Sequence, residues 1–211
     1  MGANDPTRSP EPDEQDRAQW RTWSQAVTQQ GVDEALRDVW RDVAQQITER
    51  APTCWTSGKC CNFQAYGHRL YVTGLEVAWV LAQLRAATSS NDAATSSPQS
   101  SATQQRVVSL PMSGSMASAG GATPSLPPPP TDPDTIDLQA SCVFQVAKLC
   151  SIHAVRPLGC RVFFCQQGTE QWQQDLYEHA MNRLRALHET HALPYRYMEW
   201  RAALREAISV I

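Results

Sequence analysis

The chain has 211 residues, of which 42% are hydrophobic and 18% charged, with a formal net charge of -3. That length supports one ordinary core, and a slightly acidic balance without any long run of Lys or Arg argues against a nucleic-acid surface. No stretch approaches the roughly 20 apolar residues that span a bilayer, and the polar, acidic start lacks the basic-then-apolar order of an export signal. The expectation is a cytoplasmic protein with neither a membrane nor a nucleic acid as its partner.

Residues 1–15 carry Pro, Asp and Glu with no apolar anchor, and are expected to form a disordered tail. From Asp16, read as a cap with Gln19 reaching back, the spacing of Trp20, Trp23 and Val27 predicts a helix, broken at Gly31. Val32, Leu36, Val39, Trp40, Val43 and Ile47 form the apolar stripe of a second helix, which Pro52 ends. His68 to Thr73 alternates as a short strand, and Thr73 with Glu76 makes a capping box for a third helix, Leu75 to about Arg85. That helix is apolar nearly all round, which marks a central element. Residues 87–135 change to Ser, Ala, Thr, Gln and Pro and read as a disordered insertion. Beyond it, Trp172, Leu176, Ala180, Leu184 and Leu187 predict a helix from about Thr169 to Ala192, and Tyr197 to Ile211 a last amphipathic one. The fold class expected is mainly α with short β segments. It would be one cysteine-rich, metal-stabilised domain made of residues 16–86 and 136–211.

The cysteines carry the chemistry. All seven fall into two groups, Cys54, Cys60 and Cys61 before the insertion and Cys142, Cys150, Cys160 and Cys165 after it, while the flanking helices contain none. Thiols used merely as small hydrophobes would be scattered through those helices. An odd number in a reducing compartment does not pair off as disulfides, and clustered reduced thiols suit zinc or iron, including an iron–sulfur cluster. Neither the ferredoxin run nor paired C-x2-C knuckles is present, so spacing leaves zinc and iron both open. Cys60 and Cys61 are adjacent, and in extended backbone their side chains would point to opposite sides, which suits two centres or one centre with a spare thiol. Arg156 and Arg161 bracket Cys160 and are expected to depress thiol pKa values and offset thiolate charge. His153, three residues after Cys150, is an optional further ligand or a hydrogen-bonding support.

The series Cys54-x2-Ser57-x2-Cys60-Cys61, then Cys142, Cys150-Ser-Ile-His153, Arg156-Pro-Leu-Gly-Cys160-Arg161 and Cys165, resembles the YkgJ-like cysteine-cluster family. The resemblance covers Cys54 to about Leu84 and Cys142 to Cys165. It implies a zinc- or iron-chelating domain in which eight cysteines are the usual pattern and no reaction is established. Members are similar to a cysteine-rich region of flagellin lysine methylases, but nothing in this sequence marks a methyl-donor pocket. Ser57 stands where the family usually has its second cysteine. A four-ligand second centre would therefore need His153, His68 or water, or would be absent, because Ser is a poor ligand beside thiolates.

Other features have plainer readings. His188-Glu-Thr-His191 is one residue short of the zincin signature and reads as a surface helix face. Glu76 has a capping role that already accounts for an acid there, and the tryptophans are spaced as core. The functional expectation is a metal-binding protein whose cysteine-ligated centre is mainly structural, with a helical surface for an unidentified protein partner. An iron–sulfur redox protein or oxidoreductase is the alternative, and a thiol-based redox sensor the second alternative.

Overall fold

The structure, a computed structural model, describes residues 12–54, 57–95 and 126–211. The expectations for residues 1–11 and for 96–125 lie outside these described residues.

Two helices open the fold. Helix α1 (Glu14–Ala26) starts two residues before the expected cap, because Asp13 accepts from the Asp16 amide at 2.9 Å while Asp16 accepts from the Asp13 amide. This reciprocal pair satisfies two of the otherwise unpaired amides of a first turn. The break before helix α2 (Gln30–Arg50) falls at Val27–Gln29 rather than at Gly31, which sits inside the first turn of α2. The apolar stripe of α2 is buried through Val32, Leu36, Val39, Trp40 and Val43, and Ala51 closes the helix in the left-handed conformation.

After the one-turn helix α3 (Phe63–Tyr66), the middle of the fold is helix α4 (Gly74–Thr95), entered from strand β1 (Tyr71–Thr73). Every residue from Val72 to Leu81 outside Gly74 is buried hydrophobic or belongs to the Thr73–Glu76 cap. An element apolar on all sides needs neighbours on all sides, and α4 packs against α1 and against helix α7 (Trp200–Val210). Helix α2 packs on helix α6 (Glu170–Thr190). Trp20, Trp23 and Trp200 are wholly buried, each with its indole N–H satisfied, which bears out the reading of these tryptophans as core.

The architecture is mainly helical with short strands, as the sequence predicts. Strand β1 is shorter than the expected His68–Thr73 and pairs antiparallel with strand β4 (Tyr197–Glu199), Val72 opposite Met198. Tyr197 therefore begins a strand, and the last helix starts only at Trp200. A hairpin that sequence periodicity did not show joins strands β2 (Gln145–Val146) and β3 (Leu149–Cys150). Ala147 and Lys148, both at positive φ, form its two-residue turn.

Two boundaries differ from expectation. Helix α4 runs to Thr95, into the stretch read as insertion from residue 87. Before 136, Leu126 packs on the core, Asp132 caps a short 3-10 turn (Pro133–Thr135), and Arg205 meets Asp134 at 2.7 Å. Composition underestimated the first end because Ala continues a helix without needing apolar contacts, and the second because Leu126 and the Asp132 cap anchor a Pro-rich stretch. No helix among the described residues is long and apolar enough to cross a membrane.

Candidate metal centre

Cys60 and Cys61 lie in a 3-10 turn, Lys59–Cys61, not in extended backbone. With three residues per turn, successive side chains point about 120° apart instead of to opposite faces, and these two sulfurs are 3.8 Å apart. The expectation that the two thiols point to opposite sides is corrected by that turn. Gly58 places it: at φ +70° it holds the left-handed conformation, and a Cβ there would meet the Lys148 carbonyl oxygen at 2.6 Å. Gln145 donates its side-chain amide to the Gly58 carbonyl at 2.9 Å. The turn is thereby pressed on the β2–β3 hairpin that carries Cys150.

The two cysteine groups meet here. The Cys142 amide donates to the Cys61 carbonyl at 2.8 Å, a link across the whole insertion. The Cys61 sulfur contacts that of Cys60, and the neighbouring thiols of Cys142, Cys150 and Cys60, together with burial, push its pKa up. Its partners move the opposite way. Hydrogen bonding from Cys61 pulls Cys60 down to about 6 and Cys150 to about 7, with the Arg156 guanidinium adding to both. Cys142 is lowered too, by Cys61 first and then by the Trp200 indole N–H, which donates to its sulfur at 3.4 Å. Cys160 stands close enough to feel Cys142, Cys150 and Cys60, and burial above all raises its pKa.

Positively charged groups lie behind the thiols. The Arg161 guanidinium stacks 4.8 Å from the Trp40 ring centre and donates to the Ala154 carbonyl, and burial lowers its pKa to about 10. The Nε atoms of Arg156 and Arg161 are buried without a hydrogen-bond partner. Such unsatisfied donors are costly unless negative charge lies near them. Thiolates would supply that charge.

Cys160 itself is positioned by Glu76. The carboxylate of Glu76 accepts from the Thr73 amide and hydroxyl, completing the expected capping box, and its second oxygen accepts from the Leu158 amide at 2.9 Å. That bond ties α4 to the short helix α5 (Leu158–Val162), which carries Cys160. Gly159 allows close contact, since a Cβ would meet Leu70 Cδ1 at 2.5 Å.

The remaining cysteines lie to one side. Ser57 Oγ and Cys165 Sγ are 3.3 Å apart, and the Thr53 amide donates to the Gln166 side chain at 2.6 Å. The segment that carries Cys54 therefore runs alongside that of Cys165, with Cys54 exposed. Cys60, Cys160 and Cys165 border a cavity of about 670 Å3.

His153 is exposed at the start of a 3-10 turn, and the charges that act on it are those of Arg156 and Arg161 rather than a thiol. His68 reaches only the Cys60 carbonyl, at 3.5 Å, and lies between Phe63 and Phe163. His188 corrects the surface reading of its helix face: it is 2% exposed, packed on Tyr195, with neither ring nitrogen hydrogen-bonded. It falls on the buried stripe with Leu184 and Leu187.

Gln145 and Trp200 were not singled out by sequence reasoning. Neither has a local signal, since the contact of each with the thiol group is made only by folding.

Among the described residues, no group of three or more His, Cys, Asp or Glu side chains lies as a set that could hold a metal ion. Cys60 and Cys61 are instead in sulfur–sulfur contact. Thiols are the soft donors that zinc and iron take, and Cys60, Cys142 and Cys150 are the thiols that act on Cys61. No family model, no curated protein and no solved structure matches the chain.

Proposed function

We propose that the chain is a metal-binding protein whose Cys60, Cys61, Cys142 and Cys150 hold one zinc or iron ion, or anchor an iron–sulfur cluster, in a mainly structural role. The observation that carries this reading is the backbone bond from the Cys142 amide to the Cys61 carbonyl at 2.8 Å, which brings cysteines from both sides of the insertion together, with the Cys150 hairpin held on the same turn through Gln145. The resemblance to the YkgJ-like cysteine-cluster family supports it independently, through Arg156-Pro-Leu-Gly-Cys160-Arg161 and the two cysteine groups. Binding would displace the proton that Cys61 shares with its neighbours, since thiol ligands coordinate as thiolates. Buried Arg156 and Arg161 would then balance the added negative charge. A structural thiolate site contributes on the order of 10 kcal/mol at neutral pH, comparable with the net stability of a whole domain.

Cys160 and Cys165, with Cys54 alongside, form the weaker half of the set, and Ser57 leaves it one thiol short. We place no reaction there. The test is elemental analysis of anaerobically purified protein, wild type beside Cys61→Ser and Cys54→Ser. Near-stoichiometric zinc or iron that Cys61→Ser abolishes and Cys54→Ser largely keeps is the expected result. Metal-free wild-type protein that is fully folded would overturn the proposal, as would a Cys61→Ser variant with undiminished metal. Visible absorbance separates the two metals: a brown sample indicates iron and a colourless loaded one zinc.

A further inference from the structure

The cavity beside Cys60, Cys160 and Cys165 is not explained by metal binding. At about 670 Å3 it falls within the roughly 300–1,000 Å3 usual for small-molecule sites. One wall is a single face of α6, where Glu170, Gln173, Gln174 and Tyr177 follow the three-and-four spacing of a helix. Leu70, Tyr71, Phe163 and Tyr197 also line it. Three of these are rings left 42%, 42% and 43% exposed, Tyr71, Phe163 and Tyr197 respectively. Such rigid apolar surface, gathered in one concavity, is what a flat ligand needs.

The polar groups specify the rest. Two cations, Lys59 and Arg69, line the cavity against one carboxylate, Glu170. The hydroxyls of Tyr177 and Tyr197 meet at 2.5 Å where this cavity adjoins a second, smaller one. Two phenols that share one hydrogen leave the other free to be donated, and burial raises the pKa of both, so both stay protonated at neutral pH. Cationic and donor groups over aromatic walls favour an acceptor-rich, negatively charged guest.

We propose that this cavity binds a small planar organic anion, its ring against Tyr71, Phe163 and Tyr197 and its acid group held by Arg69. The inference stands on the cavity and not on the metal reading.

Isothermal titration of the full chain with 2-naphthoate, and with the uncharged 2-naphthamide as its isostere, tests it. The acid should bind about tenfold more tightly than the amide, the scale of one charge-assisted contact. Arg69→Gln, an exposed position, should erase that preference while leaving amide binding intact. Phe163→Ala should weaken both ligands about tenfold through lost ring contact, and Arg41→Gln, exposed on α2, should change neither. Absence of 2-naphthoate binding, equal binding of acid and amide, or an acid preference that survives Arg69→Gln would each overturn the inference. Metal content measured on the same samples separates the two proposals. Protein that holds metal but binds no 2-naphthoate refutes the cavity alone, whereas metal-free protein that binds it with the stated preference supports the cavity and refutes the metal.

Discussion

Gly58 and Gly67 form a matched pair for testing how the thiol group is assembled. Both hold the left-handed conformation, at φ +70° and φ +65°, and both flank the Cys60–Cys61 turn. They differ in surroundings. A Cβ at Gly67 meets nothing within 4 Å, whereas at Gly58 it would meet the Lys148 carbonyl oxygen at 2.6 Å and the Gln145 side-chain nitrogen at 2.9 Å. Gly67→Ala should therefore cost only the left-handed penalty for a residue with a Cβ, about 1–2 kcal/mol. Gly58→Ala should cost that plus the overpacking of a backbone atom that cannot rotate away, a further 1–3 kcal/mol or so. Relief requires the hairpin to move from the turn, which takes Cys150 away from Cys61. Urea unfolding measures the two costs, and elemental analysis reads the consequence at the thiols. Gly58→Ala should be less stable than Gly67→Ala by at least about 1 kcal/mol and should lose metal, while Gly67→Ala keeps it. Equal destabilisation of the two variants would show that the close approach of turn and hairpin does not organise the site.

Further outcomes follow from single contacts. Ser57→Cys, whose oxygen lies 3.3 Å from Cys165 Sγ, should raise the metal bound per chain under anaerobic, reducing conditions; unchanged stoichiometry would refute the reading of Ser57 as the missing ligand. Glu76→Ala strands the buried Thr73 and Leu158 amides, at about 1–3 kcal/mol each, partly offset by removing a buried acid whose pKa burial raises. A urea-unfolding loss of about 2–4 kcal/mol is expected, and a loss below 1 kcal/mol would show that α5 does not depend on this carboxylate. His188 gives a pH signature. Burial depresses its pKa below the ordinary 6.5, so below that pH the unfolded chain takes up a proton that the folded chain refuses. Its contribution to stability is complete above about pH 6.5 and shrinks as pH falls. His188→Leu should flatten that part of the stability profile, and a profile as steep as wild type would place the acid sensitivity elsewhere.

The secondary structure was largely legible in the residues because it depends on local spacing. The stripes of α2 and α6, the all-round apolar surface of α4 and the Thr73–Glu76 cap each need only neighbours within a few positions. Local signals also misled where a competing contact won. Tyr197 fits a helical stripe but extends as a strand because Thr73 lies opposite it across the sheet. Asp16 looks like a cap and serves as the return half of a capping box begun by Asp13.

The cysteines mark the limit more sharply. That the cysteines fall into two groups, with none in the flanking helices, was readable from the sequence. Which of them meet was not. The Cys60 and Cys61 sulfurs meet because a glycine at positive φ opens a 3-10 turn against a hairpin, and Cys142 joins them through its backbone bond to the Cys61 carbonyl. Composition and periodicity are properties of neighbours along the chain, so they determined the helices and named the thiols. The order of thiols within the cluster, the arginines behind it and the aromatic cavity beside it bring together residues up to about 140 positions apart, and packing alone decided them.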